Sequence, residues 1–438
     1  MTKKPVLTKG QLEGGVSFFN FLMGTDKMFV LSGGPGTGKT FLMQHISRTV
    51  MHEYESACKL IGVEPEFTTL AFTATTNKAA EVLEHALGTD VQTIHSYMAL
   101  KVTENFKTGA TTLVKTANWK IRTKMIVFID EYSMIDTPLL DLIKEGFVDC
   151  KLVFIGDHSQ MAPVTEKCSP VFAEVDPANF VFLTEPVRNA DSPALVSLCL
   201  QLRDMVETKT FTQIEHVAGS VEYLSDNEMM AKLDEKFVQA DTNTRILCYT
   251  NTRVEHYNTY IREIRGLPEY MVPGDFMVTA NNYSRGKMSL NVEREVEIVS
   301  VDHTLRSAGY NELFADGEPI RFYEATVKLS YGEPFVLQIP ESKERWMLAI
   351  KEMASRKRWS EYFDLKNLCC DLRFKTACTV YKSQGSTYDE VFLDLGNIGT
   401  SWDAEQVARM LFVGASRARS KVYLFGRLPH RYTGAKAA

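Results

Sequence analysis

No excess of positive charge marks this 438-residue chain: 49 lysines and arginines face 55 aspartates and glutamates, a formal net charge of -6. An overall basic field that would draw the protein to a polyanion is excluded, so any nucleic-acid site must be a local groove. The eight cysteines are scattered and form no C-x-x-C pair. A zinc site has no starting point there, and free thiols in a reducing compartment are expected. Histidines such as His158 and His256 lack ligand-like spacing and read as structural. Long apolar runs are missing as well: strings such as MIVFI are strand-sized, far short of the roughly 20 residues a membrane helix needs. The opening MTKKPVLTKGQ lacks the apolar core of a signal peptide, and no internal repeat or low-complexity tract is visible. What remains, 45% hydrophobic and 24% charged residues, suits buried cores in two to four domains of about 150 residues each. A soluble, cytoplasmic protein is expected, without a membrane partner.

The first 190 residues alternate short β-rich runs with helix-length amphipathic stretches, the signature of a parallel sheet wrapped by helices. Candidate strands are MFVLS, TTLAFT, MIVFID, KLVFIG and FVFL. One stretch, LKVTENFKTGATTLVKTAN, breaks the pattern and reads as a β-hairpin excursion over 99–118. After a helical region, strand-like runs return at RILCYT, TACTVY, EVFLDL and KVYLFG, which implies a second α/β lobe. An insertion at about 266–366 carries short alternating runs and then a charged helical stretch. The reading is thus a first lobe over 1–98 and 119–190, a second over 191–265 and 367–438, and a β-rich module with a helical extension over 266–366.

Residues 33–40 read GGPGTGKT, with a strand-like run before and a helix-forming sequence after, the context that confirms a P-loop. Gly33, Gly36 and Gly38 let the backbone of Gly33, Gly34, Gly36, Thr37 and Gly38 turn its N–H groups toward phosphate oxygens, with Pro35, which has no N–H, in the same cofactor-binding turn. Lys39 reaches the β- and γ-phosphates of ATP, and the Thr40 hydroxyl ligates Mg2+. Asp130 and Glu131 end an apolar strand at the carboxyl edge of the sheet, where open α/β folds bind ligands. Asp130 is assigned to the magnesium shell and Glu131 to the attacking water. The next strand ends in GDHSQMAPV, which places Asp157 and Gln160 at the same edge and makes Gln160 a candidate γ-phosphate sensor. Arg188 and Arg417 are candidate arginine fingers from the ends of the two lobes, a device that supplies on the order of a thousandfold in rate.

GGPGTGKT, VFIDEYSM, GDHSQMAPV, LTEPVRN, TVYKSQGSTYDEV and LFVGASRAR stand in the order of the superfamily 1 helicase motifs. With the TIHS segment, the chain resembles the RecD-like branch, and most of all the Dda-type bacteriophage helicases. The resemblance implies two RecA-like lobes with ATP between them, single-stranded DNA across their tops and 5′-to-3′ translocation. It implies roles for further residues. Gln11 reads the adenine; Thr73, Thr75, Lys78, Thr93, His95 and Asn251 contact the DNA strand. Thr379, Ser383, Gln384 and Gly385 link the DNA track to the phosphates, with Gln384 and Gly385 on the nucleotide side. Where the related pattern reads H-K-S-Q-G, this chain has Tyr381 at the first position.

The hairpin at about 101–115 resembles the pin placed at a DNA fork, with Phe106, Leu113 or Val114 as its wedge. Trp359 and Phe363, interleaved with basic residues, are candidate base-stacking groups, since such stacking is worth roughly 1–3 kcal/mol per base. Expected partners are single-stranded and forked duplex DNA, with a single-strand-binding protein or replisome component beside them. A monomer in the cytoplasm, the host's if the chain is phage-encoded, is the expected acting form. Two other readings stand: a translocase working mainly on RNA or protein roadblocks, and a nucleotide-switched binding protein. Glu131 argues against the last, because a pure switch needs no water-positioning base.

Overall fold

The computed structural model describes residues 6–104, 111–161, 168–185, 192–238, 243–285, 288–290, 292–329 and 332–432. Strands of the first lobe are covered on both faces, which is why their sequences run apolar without alternating. In Met125–Asp130, Ile126 and Phe128 enter a core shared with Phe18, Leu42 and Ile46. Met125, Val127 and Ile129 face the other way, into a core with Leu139, Leu140 and Ile143. Six parallel strands result, in the order Phe180–Leu183, Met28–Gly33, Lys151–Gly156, Met125–Asp130, Thr69–Ala74 and Gln92–Thr93. Because Ser32 pairs with Gly156 and Ile155 with Asp130, three adjacent strands deliver the P-loop, Asp157 and the Asp130–Glu131 pair to one edge.

The second lobe repeats the plan with five parallel strands, in the order Val221–Leu224, Ala418–Phe425, Tyr388–Asp394, Thr244–Cys248 and Ala377–Thr379. On one face Leu247, Val391 and Leu393 pack with the helices Pro193–Thr208 and Ala404–Ala415. The opposite face sets Ile246, Cys248 and Phe392 against Asp226–Lys236 and Asn251–Ile264. This is an α/β protein of two parallel-sheet lobes, as expected.

The inserted module is an antiparallel five-stranded sheet, ordered Phe335–Pro340, Ile320–Lys328, Glu295–Gly309, Phe276–Thr279 and Leu372–Phe374. Its last strand lies past the expected end at residue 366. Three residues are too few to show alternation, so pairing with Phe276–Thr279 was not readable locally. The helices Lys343–Ser355 and Trp359–Leu368 form the extension, locked where Trp346, nearly fully buried, donates its indole N–H to the Leu365 carbonyl at 2.7 Å.

In the first-lobe excursion Leu100–Glu104 pairs antiparallel with Thr111–Lys115. Leu113 packs against the lobe core and Val114 faces outward. The connection, with the candidate wedge Phe106, lies outside the described residues. Among the described residues no helix is long and apolar enough to cross a membrane.

Candidate nucleotide site and nucleic-acid cleft

The P-loop follows Met28–Gly33 and leads into the helix beginning at Lys39. Gly36 and Gly38 have φ of 81° and 80°, the left-handed region that favours glycine. A side chain at Gly33 would come within 2.7 Å of Thr37 Oγ1 and 2.8 Å of the Leu183 carbonyl. Lys39 Nζ donates to the carbonyls of Gly33 and Gly34 at 2.6 and 3.1 Å. Burial lowers its proton affinity, while Asp157, Glu131 and Asp130 oppose that shift. Gln11, buried, donates from Nε2 to the carbonyls of Thr37 and Gly38 at 3.2 and 3.4 Å, so its amide braces the loop.

Burial, the neighbouring Glu131 carboxylate next, pushes Asp130 up to about 7, and Lys39 pulls the other way. A carboxylate so placed favours a cation beside it, which fits Thr40 and Asp130 as the protein's share of a Mg2+ shell. Glu131 sits at φ 59°, ψ 46°, a left-handed conformation uncommon for a non-glycine residue. Thr75 holds that turn: its N–H donates to the Asp130 carbonyl and its hydroxyl to the Glu131 carbonyl, both at 3.1 Å. Among the described residues, Glu131 Oε2, Asp157 Oδ2, Gln160 Oε1 and Gln384 Nε2 are buried polar atoms with no hydrogen-bond partner. Such atoms cost about 1–3 kcal/mol each unless a ligand or water satisfies them: the three oxygens call for a donor such as water or for a cation, and the Gln384 amide N–H for an acceptor such as a phosphate oxygen.

From the second lobe Arg417 is buried, with Nε donating to the Val413 carbonyl at 3.1 Å, Nη1 to the Ser386 carbonyl at 3.4 Å and Nη2 to Ser416 Oγ at 3.1 Å. Its charge reaches Lys39 and disfavours the ammonium there. Arg188 lies outside the described residues. Gln384 stands beside Gly385, whose φ is 73° and whose missing side chain would come within 3.7 Å of the Ala79 N–H in the first lobe.

Two arginines here escaped sequence reasoning. Arg203, on Pro193–Thr208, lies 3.7 Å from Asp157 Oδ1 and 2.9 Å from Glu207 Oε1, and a side chain at Gly34 would meet its Nη1 at 3.5 Å. Arg409, on Ala404–Ala415, donates to the carbonyls of His158 and Gln160. Each is a lone cation on an amphipathic helix, a pattern that ordinarily means a solvated face.

Across the sheet edge a cleft of 1090 Å³ is lined by Thr75, Asn77, Thr93, His95 and Ser96 from the first lobe and by Asn282 and Arg294 from the module. Thr93 caps the turn that presents His95, accepting from the Ser96 N–H at 3.2 Å. Burial lowers the His95 proton affinity, and Asp136 opposes that shift. Lys78 pairs with Glu81 at 3.5 Å at the rim of an adjoining cavity, and Arg294 closes on the same carboxylate at 3.4 Å. Asn251 is exposed at the start of its helix.

Three expected strand contacts are corrected by burial. Thr73 is fully buried with its hydroxyl donated to the Phe128 carbonyl at 2.8 Å, because it points into the sheet rather than off its edge. Ser383 is fully buried and donates to the Val380 carbonyl at 2.7 Å, closing its own tight turn. Phe363 is buried on the inner face of Trp359–Leu368, its ring 4.7 Å from that of Tyr362. Trp359 stays half-buried. Thr379 is nearly covered, accepting from the Lys382 N–H at 3.4 Å.

Fold and site together define a two-lobed P-loop ATPase. The family model described as an AAA domain matches residues 22–166, across the first lobe, and that described as a UvrD-like helicase C-terminal domain matches residues 375–425, in the second. The two matches fall in the order of a helicase's paired domains, so the chain is similar to superfamily 1 helicases, and it is an ATP-hydrolysing enzyme. An uncharacterized protein of Acanthamoeba polyphaga mimivirus is 21% identical, the match covering 95% of this chain and 98% of that protein. Similar solved structures include a Bacteroides Pif1 helicase in complex with ADP-AlF3 and ssDNA (13% identical, 99% and 95% of the two chains covered, TM-score 0.48). The Pif1 helicase from Candida albicans is similar at 16% identity, with 97% and 96% covered and a TM-score of 0.42.

Proposed function

We propose that this helicase hydrolyses ATP in the cleft between its lobes to move along single-stranded DNA, 5′-to-3′, and to part duplex DNA at a fork. The observation that carries the reading is the junction at Thr75. This residue lines the long cleft and holds the backbone of Asp130 and Glu131, so strand and nucleotide sites share one hydrogen-bonded turn. In the hydrolytic step water attacks the γ-phosphorus as the bond to the β–γ bridging oxygen breaks, leaving ADP and phosphate. Glu131 orients that water and takes its proton, Lys39 and Arg417 stabilise the charge on the γ-oxygens, and Gln160 senses their presence. Thr40 and Asp130 would hold Mg2+, which when bound neutralises phosphate charge.

Strand contact falls to Thr75, Lys78, Thr93, His95, Asn251 and Trp359, with the hairpin Leu100–Glu104 and Thr111–Lys115 as the element that meets the fork. Opening a DNA step costs about 1.4 kcal/mol on average, so turnover drives it where passive binding would barely do so. Displacement of bound proteins and a place in replication or recombination, as a monomer in the cytoplasm beside a single-strand-binding protein, complete the proposal. Forked substrates carrying only a 5′ or only a 3′ single-stranded tail test it. Unwinding from the 5′ tail alone is expected; unwinding from the 3′ tail alone would reverse the polarity, and unwinding of neither would remove the helicase step.

A further inference from the structure

We propose that Arg409 is a positioning residue for Gln160, and that the loop carrying Gln160, although it belongs to the first lobe by sequence, moves with the second. The inference rests on the reading of Gln160 as the residue that meets the γ-phosphate.

Several contacts tie this loop across the lobe boundary, the approach of Arg203 to Asp157 Oδ1 at 3.7 Å among them. Arg409 Nη1 donates to the His158 carbonyl at 2.7 Å and to the carbonyl of Gln160 itself. The guanidinium is held flat from its other side by Glu405 Oε1, which accepts from Nε at 3.3 Å and Nη2 at 2.9 Å, and Lys209 Nζ reaches the same carboxylate at 3.2 Å. One residue beyond Gln160, Met161 is buried in the second-lobe core with Leu195, Leu198, Leu202 and Leu411. Within the loop, Asp157 accepts from the Gln160 N–H at 3.1 Å and from the Ser159 N–H at 3.0 Å, and its side-chain link back to its own lobe runs through the His158 ring, which stacks on Phe172 at 5.2 Å and meets Phe182 edge-on at 6.0 Å.

One guanidinium nitrogen meets both carbonyls while the rest of the planar group is fixed on Glu405, so the backbone on either side of Ser159 meets a donor that is already aimed. The Gln160 side chain, 3% exposed, has its amide oxygen without a hydrogen-bond partner among the described residues. It is therefore an unsatisfied group held in place by a neighbouring lobe. A shift of the second lobe toward or away from the P-loop carries Gln160 with it, so lobe closure and γ-phosphate contact become one event.

A double-mutant cycle on the full chain tests this, reading strand-stimulated kcat and the KM for ATP. Gln160→Ala and Arg409→Ala are each expected to lower kcat about tenfold to a hundredfold with KM within about threefold, and the double variant to be no slower than the slower single. Arg409→Lys, which keeps the charge but loses the planar pairing with Glu405 that aims the donor, is expected to fall between. If the alanine variant does not fold, as judged by thermal unfolding, the cycle with Arg409→Lys decides, again by non-additivity. Multiplicative losses in the double variant, or kcat within about threefold for Arg409→Ala, overturn the inference. A slow Gln160→Ala beside an unaffected Arg409→Ala removes the positioning role and leaves the Gln160 reading intact. An unaffected Gln160→Ala removes both.

Discussion

Arg417, near the end of the second lobe, lies close enough to Lys39 in the P-loop of the first for its charge to disfavour the lysine ammonium. Arg417 thus adds a cationic influence from the far lobe at Lys39, where Asp157, Glu131 and Asp130 act the other way. Like charges are held together at a cost, and a triphosphate with its own four negative charges relieves it. On the proposed function, that arrangement would couple nucleotide binding to lobe closure.

Removing the P-loop ammonium should show its weight directly. Lys39→Ala is expected to cut strand-stimulated turnover by about a thousandfold or more, since the ammonium meets charge that grows on the γ-oxygens. Steady-state ATP hydrolysis measures this, and retention of even a tenth of the wild-type rate would move Lys39 out of the reacting centre.

Asp130 gives a pH signature. With its carboxyl pushed up to about 7, the empty protein holds a proton there that the unfolded chain gives up near pH 4. Its stabilising contribution is full below the unfolded value and is lost as pH rises through about 7. Binding of Mg2+ with nucleotide takes the ionised form, so at pH 6.5 it should release a substantial fraction of one proton and tighten as pH rises. Calorimetry in buffers of different ionisation enthalpy reads that proton. Asp130→Asn should abolish the release, and proton-neutral binding by the wild type would contradict the assignment.

The Thr75 junction predicts a loss of communication. Thr75→Val keeps the shape but removes the hydroxyl that donates to the Glu131 carbonyl at 3.1 Å. At saturating oligothymidylate, ATP turnover is expected to fall about tenfold, the scale of a misplaced water-orienting group. Full stimulation of the valine variant would show that the strand signals by another route.

Salt dependence follows from the cleft's composition. Glu81, Glu84 and Asp90 share its lining with Thr75, Thr93, His95 and Arg294. Few phosphates can be neutralised there, so log affinity for a single strand should fall with log salt at a slope of only about -1 to -3. Fluorescence anisotropy titrations would detect a slope near -6, which would mean a basic track elsewhere.

Much of this architecture was written in local pattern. The sheet strands of both lobes were readable because burial on both faces leaves unbroken apolar runs, and GGPGTGKT with Asp130 and Glu131 marked the ligand edge of the first sheet. What local pattern could not carry was direction and partnership. Thr73 and Thr75 are two residues apart in one segment, yet one hydroxyl turns into the sheet and the other braces the Glu131 turn. Ser383 resembles a surface hydroxyl until its own turn closes over it. The bonds from Arg409 to His158 and Gln160 join segments about 250 residues apart, a relation that no window of sequence expresses.

The account depends on ATP being clasped by both lobes at once, and Arg417 measures that most directly. For Arg417→Ala, the expected result is a strand-stimulated kcat lower by about three orders of magnitude, with binding of a fluorescent ADP analogue within about threefold of wild type. A kcat within about threefold of wild type would place the Arg417 guanidinium outside the reaction and contradict a clasp made through it.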